Sequence, residues 1–236
     1  AGEEIINIYN SGACDITIKA DGSPVTRADM AANDIILNGL SKISSYPVMS
    51  EENYIEYDIR KTWKNFWLVD PLDGTKDFTA RNGHFTVNIA MIEENLPVLG
   101  VIYAPAIDLI CFAKKNGGTY KNNEKIYNNS KRTDLSASDS NFHSSKETVE
   151  FLNKHNIKHI IRAGSSIKFI LLAEGKIDLY PRFNGSSEWD TAAGQIILNE
   201  AGCKIIDMKT GKEPLYNKKN TGNNYFIASR KDLDFL

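Results

Sequence analysis

Residues 67–78 read WLVDPLDGTKDF, and they place several polar side chains where a buried strand ends. The apolar run FWLV predicts that strand and puts Asp70 at or near its end. Pro71 disfavours helical backbone at the preceding residue, and Gly74 permits a tight turn with a positive φ. This geometry can aim the carboxylates of Asp70 and Asp73 at a single point.

This turn has two interpretations. Clustered carboxylates are unfavourable unless a cation lies among them, so the turn can be a metal-binding cage with Thr75 beside it. The alternative is an Asp-Gly turn followed by a helix that is capped at Thr75 or Asp77. An EF-hand loop is excluded, because Leu72 stands where its second ligand belongs and Arg81 where its bidentate acid belongs. The DxDGT signature of phosphatases that form an aspartyl-phosphate also fits poorly, because the two acids are three positions apart rather than two.

The composition is that of an ordinary globular protein. The chain has 236 residues, of which 42% are hydrophobic and 25% charged, and its formal net charge is −2. Lysine and arginine are spread along the sequence, so nothing predicts a broad surface for nucleic acid polymers. No apolar run approaches the roughly 20 residues that span a bilayer, and no secretory signal is recognisable. We therefore expect a cytoplasmic protein, and we leave open a peripheral association with the inner membrane.

Neither the cysteines nor the histidines predict a metal site. Cys14, Cys111 and Cys203 are far apart and form no CxxC pair, so each is expected to be a small apolar residue in a reducing compartment. The four histidines form no HExxH or similar spacing. Any bound metal would therefore be held by oxygen ligands.

Apolar periodicity predicts helices at residues 1–11, 27–43, 144–155, 165–174 and 189–201, and strands at residues 65–70, 84–93, 96–104, 108–114, 157–161, 177–181, 203–207 and 224–228. The meander at residues 84–120 predicts an antiparallel sheet in the first half of the chain. After residue 140, strands and helices alternate, which predicts a second, mixed sheet with helices on its faces. The Asn- and Ser-rich stretch 121–145 is the expected junction. We divide the chain into an N-terminal half, residues 1–125, and a C-terminal half, residues 126–236, packed as one compact unit.

Two more stretches carry acids beside predicted element ends. YPVMSEEN, residues 46–53, is a short strand that leads into Glu51 and Glu52. SSEWDTAAGQIILNEAG, residues 186–202, opens a helix with Asp190 in its first turn. Taken singly, acids at a helix start are common structural features, because the helix dipole favours them there.

In combination, EE at 51–52, DPLDGTKDF at 70–78 and WDTAAG at 189–194 resemble the inositol monophosphatase superfamily of lithium-sensitive, magnesium-dependent phosphomonoesterases. The segment DGSPVTRAD, residues 21–29, is similar to the family's upstream segment, and the motifs together span nearly the whole chain. The resemblance implies an α+β protein with the layered αβαβα fold of the sugar phosphatases.

The resemblance also implies the roles of individual residues. The metal ligands would be Glu51, Asp70, the backbone carbonyl of Leu72, Asp73 and Asp190. Two or three Mg²⁺ ions are implied, with Asp70 bridging two of them. Thr75 and Asp29 match the hydrogen-bonded pair that orients and deprotonates the attacking water, and we count Glu51 with them as catalytic. Glu52 matches the second acid of the pair and is expected behind the ligands.

Further stretches are similar to the bacterial CysQ branch of this superfamily, the 3′(2′),5′-bisphosphate nucleotidases. They include GVIYAP at 100–105 and AGSSIKFILLAEGKIDLYPRF at 163–183. This branch removes the 3′-phosphate of 3′-phosphoadenosine 5′-phosphate to give AMP. The substrate-binding residues implied are Asp73, Gly74, Thr75, Ser165, Lys168, Arg182 and Asp190.

Several alternatives stay open at this stage. Lys168 could be a solvated residue on a helix face, and Arg182 could form a surface ion pair. The enzyme could be an inositol monophosphatase or a fructose-1,6-bisphosphatase instead, and a catalytically idle phosphate-binding regulator is the alternative from another class. The protein could be a monomer or a homodimer.

Overall fold

The computed structural model describes residues 1–12, 16–18 and 24–235. Cys14 and the first part of the DGSPVTRAD segment therefore lie outside the described residues. The helices are α1 (Gly2–Ser11), α2 (Arg27–Ile43), α3 (Tyr57–Arg60), α4 (Thr75–Thr79), α5 (Lys146–Lys154), α6 (Ile167–Ala173) and α7 (Glu188–Glu200), with a short 3₁₀ helix at Pro105–Ile107.

The strands are β1 (Ile16–Ile18), β2 (Pro24–Thr26), β3 (Val48–Ser50), β4 (Asn65–Asp73), β5 (Thr86–Glu93), β6 (Leu96–Ala104), β7 (Leu109–Lys114), β8 (Gly118–Lys121), β9 (Glu124–Ile126), β10 (Ser136–Ser140), β11 (His159–Ala163), β12 (Leu179–Arg182), β13 (Cys203–Asp207) and β14 (Phe226–Arg230). β1 and β2 pair with each other as a small antiparallel ribbon.

A seven-stranded sheet occupies the first half of the chain, in the order β3-β4-β5-β6-β7-β8-β9. β3 pairs with β4 in parallel, and every later pair is antiparallel. The antiparallel meander predicted for this half is confirmed. Short turns between successive strands make this arrangement possible, because antiparallel neighbours need only a hairpin connection.

A five-stranded mixed sheet occupies the second half, in the order β11-β10-β12-β14-β13. β10 is parallel to both β11 and β12, whereas β14 is antiparallel to β12 and β13. The carboxyl ends of the three parallel strands therefore lie at the same edge of the sheet. Loops that follow such strand ends commonly form a ligand site.

Period-two burial in β4 explains the layering of the fold. Phe66 and Leu68 enter a core shared by both sheets and by helices α6 and α7, whereas Trp67 and Val69 enter a second core under α1 and α2. A third cluster packs Leu152 of α5 on the outer face of the smaller sheet. The layers are therefore α1 and α2, the large sheet, α6 and α7, the small sheet, and α5, so the predicted αβαβα arrangement is confirmed.

Several elements differ from the sequence prediction. β10 is absent from it, because SASDS has neither apolar alternation nor β-branched residues, although all five residues are buried. The strand predicted at 157–161 lies at His159–Ala163, and the one predicted at 224–228 lies at Phe226–Arg230. The chain passes from the first sheet to the second between Ile126 and Ser136, and the division into two halves after residue 125 stays a prediction.

Two further features are the burial of the cysteines and the length of the helices. Cys111 and Cys203 are buried and unbridged, and burial raises the pKa of each thiol to about 12, as expected for inert core residues. In the ranges that the structure describes, the helices are all too short or too polar to cross a bilayer.

Candidate active site

The turn at the end of β4 is built on a β-bulge. The strand continues past Asp70 to Asp73, and its pairing with β5 shifts between these two residues. A bulge adds one residue to a strand, so two acids three positions apart can face the same cavity, where alternation alone would separate them. Pro71 is tolerated at this irregular position. Gly74 then adopts φ 91° as the N-cap of α4, so neither Thr75 nor Asp77 is the cap residue.

Four carboxylates from the acidic motifs line a cavity of about 570 Å³, and we call them the acidic wall. They come from the end of β3, from the β4 turn and from the first turn of α7, namely Glu51, Asp70, Asp73 and Asp190. Burial, followed by the negative charges of Glu51, Asp73, Asp190 and Asp29, raises the pKa of Asp70 well above its ordinary value. The acids that the sequence singled out are thus close enough to repel one another.

Hydrogen bonds fix the position of each acid at the turn. Asp70 is 1% exposed, and its Oδ1 accepts the backbone N–H of Leu72 at 3.1 Å. Oδ2 of Asp73 accepts the hydroxyl of Ser166 at 2.8 Å and the amide of Asn88 at 3.3 Å. These contacts join the end of β4 to β5 and to the start of α6.

Asp190 caps α7 and also lines the cavity. Its Oδ2 accepts the backbone N–H of Ser187 at 2.8 Å, which completes the capping box of α7. The same side chain lines the cavity, and burial, followed by the charge of Asp73, raises its pKa. The helix cap therefore delivers the carboxylate to the site.

Asp29 and Thr75 meet although they are 46 positions apart. The Thr75 hydroxyl donates to Asp29 Oδ1 at 3.4 Å. Asp29 Oδ2 accepts the backbone N–H of Thr26 at 2.8 Å and its hydroxyl at 2.5 Å, in the capping box of α2. Burial raises the pKa of Asp29, and the two bonds from Thr26 oppose that shift. Glu52 does not line the cavity, but its charge contributes to the raised pKa of Asp29.

Another part of the cavity lining is basic, and we call it the basic wall. It carries Lys168 of α6 and Arg182 at the end of β12. Lys168 is 1% exposed and donates to the carbonyls of Ala163 at 3.2 Å and Ser165 at 2.6 Å, so the interpretation as a solvated helix residue is wrong. Arg182 donates to the carbonyl of Gly185 at 2.9 Å and has no carboxylate partner among the described residues, so a surface ion pair is excluded there too.

Two buried polar atoms of this basic wall have no hydrogen-bond partner within the described part of the chain. They are the hydroxyl oxygen of Ser165 and Nε of Arg182. Ser165 also has φ 45°, a left-handed conformation that non-glycine residues rarely adopt. Native proteins leave few buried polar groups unsatisfied, and the exceptions often mark the place of a ligand. Both atoms line the same cavity as the carboxylates.

Comparison with known proteins identifies the family of the chain. Residues 1–233 match the inositol monophosphatase family. The chain belongs to this family. The resemblance inferred from the acidic motifs is therefore confirmed over nearly the full sequence.

Two relatives of this family member are bacterial nucleotidases by name. The chain is 43% identical over 213 residues to the 3′(2′),5′-bisphosphate nucleotidase CysQ of Salmonella typhimurium, covering 88% of this chain and 86% of the relative. It is 35% identical over 230 residues to the protein of the same name in Haemophilus influenzae, covering 93% and 85%.

Solved structures give the same grouping. The crystal structure of CysQ from Bacteroides thetaiotaomicron, described as a bacterial member of the inositol monophosphatase family, superposes with a TM-score of 0.89 at 38% identity. It covers 98% of this chain and 93% of the other. The inositol monophosphatase of Thermotoga maritima superposes with a TM-score of 0.81 at 26% identity, covering 97% and 87%.

The acidic wall of this inositol monophosphatase family member has the donor chemistry of a hard-cation site. Its side chains are all carboxylates, and a backbone carbonyl is at hand at Leu72, which also lines the cavity. In the described ranges, no three His, Cys, Asp or Glu side chains already form a coordination group. The acids repel one another in the folded chain, so a cation bound among them would reduce the electrostatic repulsion.

The sequence interpretation assigned no role to two further side chains that line the cavity, Lys76 and His143. Burial, followed by the positive charges of Arg182, Lys76 and Lys168, lowers the pKa of His143. His143 lies in the loop after β10, the strand that the sequence pattern did not reveal. Recognising a parallel strand at 136–140 would have placed that loop at the carboxyl edge of the sheet, and so in the site.

Proposed function

We propose that the protein is a metal-dependent 3′(2′),5′-bisphosphate nucleotidase. It would hydrolyse the 3′-phosphate of 3′-phosphoadenosine 5′-phosphate to AMP and phosphate. The observation that carries this proposal is a single cavity with an acidic wall and a basic wall, where Ser165 Oγ and Arg182 Nε find no hydrogen-bond partner among the described residues. A substrate with two phosphates can use both walls at once, and the names of the CysQ relatives support the same activity.

Mg²⁺ is the proposed cofactor, as two or three ions. Glu51, Asp70, Asp73, Asp190 and the carbonyl of Leu72 would hold it, because Mg²⁺ prefers oxygen ligands and retains positions for water and phosphate. When bound, such ions supply positive charge to the phosphate oxygens and make water more acidic. The charges of the other acids all raise the pKa of Asp70, so Asp70 would be a ligand that the bound ions share.

Thr75 and Asp29 are proposed to place the attacking water and to hold its proton. The water proton would pass to Thr75 Oγ1 as the hydroxyl proton passes to Asp29 Oδ1, which it already faces. Thr26 occupies the other oxygen of Asp29 and so fixes the orientation of the carboxylate. The water oxygen attacks phosphorus, the bond from phosphorus to the 3′ oxygen breaks, and that oxygen takes a proton from a solvent water while Asp29 later returns its proton to solvent. Glu51, beside the reacting group, is the third proposed catalytic residue.

The backbone amides at Gly74 and Thr75 are proposed to cradle the scissile phosphate. The second phosphate would bind Ser165, Lys168 and Arg182 on the basic wall. The planar guanidinium of Arg182 matches phosphate geometry, and the ammonium of Lys168 has one N–H beyond the two that bind carbonyls.

Phosphate release tests the proposal. The purified protein is assayed with 3′-phosphoadenosine 5′-phosphate, inositol 1-phosphate and fructose 1,6-bisphosphate at equal concentration, with Mg²⁺ and with a chelator. We expect the nucleotide to be preferred at least tenfold, a difference of about 1.4 kcal/mol in transition-state binding, and chelation to abolish activity. Arg182→Gln should weaken only the use of substrates with two phosphates.

Other results would contradict the proposal in distinct ways. Preference for inositol 1-phosphate or fructose 1,6-bisphosphate would retain the acidic wall as the catalytic centre and remove the nucleotide assignment. Binding of the nucleotide without phosphate release at any Mg²⁺ concentration would indicate an idle phosphate-binding regulator. The cytoplasmic location and the monomeric or homodimeric state stay predictions.

A further inference from the structure

A buried carboxylate outside the proposed catalytic set, Asp77, also lines the cavity. Asp77, in α4, is 3% exposed and has no ion-pair partner among the described residues. Its Oδ1 accepts the side-chain amides of Asn82 at 2.6 Å and Asn141 at 2.8 Å. A buried acid is costly without such bonds, and nothing in the proposed reaction uses it.

The backbone of the loop between β11 and α6 lies directly against this carboxylate. A Cβ atom on Gly164 would lie 2.5 Å from both Oδ1 and Oδ2 of Asp77, so only glycine permits the approach. The next residue in this loop, Ser165, is also in close contact with the turn: a Cβ atom on Gly74 would lie 3.2 Å from its Cβ. The turn after β4 and the loop at residues 163–166 are thus in close contact at two points. The backbone of Gly164 contacts the Asp77 side chain, and the backbone of Gly74 contacts the Ser165 side chain.

His84 completes the connection between three segments. Its Nδ1 accepts the backbone N–H of Gly164 at 3.3 Å and lies 3.2 Å from the Asn141 amide. Both partners are donors, so Nδ1 is the acceptor and the ring proton is on Nε2. Asn141 follows β10 and Gly164 follows β11, so Asp77 and His84 tie the loops after two parallel strands to the turn after β4.

We propose that Asp77 is a positioning residue that sets the distance between the catalytic turn and the loop at residues 163–166, and thereby gives the site its selectivity for substrates with two phosphates. The proposal rests on the proposed nucleotidase function. A substrate held at both ends depends on that distance, because its second phosphate reaches the basic wall only if the first is in place. A substrate with one phosphate does not depend on it.

Four variants test this inference with saturating Mg²⁺: Asp77→Ala, Asp77→Asn, Gly164→Ala and the double variant Asp77→Ala with Gly164→Ala. The substrates are 3′-phosphoadenosine 5′-phosphate and 3′-AMP, which lacks the second phosphate. We expect Asp77→Ala to raise the KM for the bisphosphate about tenfold with kcat nearly unchanged, because the second phosphate then loses its contact with the basic wall; a tenfold change is about 1.4 kcal/mol of binding. The KM for 3′-AMP should stay the same.

The other variants distinguish a positioning role of Asp77 from an effect of its charge and from a general loss of stability. Asp77→Asn retains an oxygen that can accept both amides, so we expect wild-type KM values when all variants are assayed at pH 6, where Lys168 stays charged without the Asp77 charge. Gly164→Ala should act like Asp77→Ala, and the double variant should be less impaired than the two single effects combined, because removal of the carboxylate makes room for the methyl group. Asp178→Asn is the control. Asp178 lies directly before β12, is buried and forms an ion pair with Arg230. Its replacement should lower the stability of the fold without changing the ratio of the two KM values.

Equal impairment of both substrates by Asp77→Ala, or no impairment of either, would overturn the inference. A wild-type protein that does not prefer the bisphosphate to 3′-AMP would instead contradict the proposed function. The positioning role is then decided by amide hydrogen exchange of residues 163–166 without substrate. Faster exchange in Asp77→Ala but not in Asp77→Asn supports the role, and unchanged exchange in both rejects it.

Discussion

Lys168 illustrates how burial changes the chemistry of a single side chain. Its ammonium is enclosed by two carbonyls and lies 5.2 Å from the centre of the Tyr180 ring. Burial, followed by the positive charge of Arg182, lowers its pKa to about 8, against the opposing effects of Asp73, Asp77 and Asp139. The side chain is therefore charged below that pH and loses its proton above it.

Binding of the second phosphate should follow this titration. Between pH 7 and pH 9 we expect the KM for 3′-phosphoadenosine 5′-phosphate to rise about tenfold, because the fraction of charged Lys168 falls by that factor across a pKa near 8. The measurement is KM against pH, with 3′-AMP as the control substrate. The same rise with 3′-AMP would place the titration elsewhere in the site.

Thr75 is expected to matter for catalysis and little for stability. Its hydroxyl makes one long bond to Asp29, and Gly74 rather than Thr75 caps α4. We expect Thr75→Ala to lower kcat by a factor of about 10² to 10⁴, the usual contribution of a positioned proton-transfer group. Thr75→Ser retains the hydroxyl and should keep most of the activity. Urea unfolding of both variants checks that the fold is unaffected, and a fully active Thr75→Ala would remove Thr75 from the mechanism.

Helix α7 is the element that joins the two sheets and carries Asp190. Its approach depends on small residues: a Cβ atom on Gly100 of β6 would lie 2.5 Å from Cγ2 of Ile196 and 2.8 Å from the carbonyl of Ala193. A Cβ atom on Gly194 would lie 2.6 Å from Cγ of Phe169 in α6. The close packing of this helix therefore determines where its first-turn carboxylate lies.

Alanine at two helical glycines should have opposite effects. Gly194→Ala should lower the free energy of unfolding by about 1–3 kcal/mol, because the added methyl group overpacks the contact with Phe169. Gly39→Ala in α2 should raise it by about 0.5–1 kcal/mol, because nothing lies within 4 Å of the new atom and alanine favours helix. Urea denaturation measures both. A stabilising Gly194→Ala would show that α7 can shift without cost.

The molecule as a whole brings its acids together from segments far apart in sequence. Glu51, Asp70 and Asp73 belong to the large sheet, and Asp190 belongs to the helix between the sheets. A common apolar core holds these layers together against the mutual repulsion of the carboxylates. A cation bound among them would therefore stabilise the folded chain.

Metal binding should consequently be visible as stability. At a Mg²⁺ concentration of about 100 times Kd, we expect the free energy of unfolding to rise by about 2.7 kcal/mol through mass action. Thermal unfolding with Mg²⁺, with chelator and with NaCl at equal ionic strength measures the effect. Asp70→Asn should abolish the response to Mg²⁺. An equal rise with NaCl would mean general screening of charge rather than a specific site.

Many features of the fold were predictable because they depend on local patterns. The helix at Arg27–Ile43 has the predicted bounds, since a capping box and a long apolar period both mark it. The strand β4 was evident from its apolar run, yet its extension to Asp73 was not, because a bulge leaves no pattern in the sequence. β10 was invisible for a related reason: small polar residues are buried there by their neighbours and not by their own hydrophobicity.

The sequence alone was sufficient to recognise the family, whose resemblance implied the layered fold and the candidate acids, and its hydrophobic periodicity predicted two sheets, because motif order and periodicity are properties of the chain itself. Only the tertiary structure decided which groups meet. It buried Lys168, paired Asp29 with Thr75 and, within the part of the chain that is described, left one polar atom each of Ser165 and Arg182 without a hydrogen-bond partner. It also placed Asp77 against Gly164. Such contacts join segments tens of residues apart, so their distances depend on how the layers pack and cannot be deduced from local spacing.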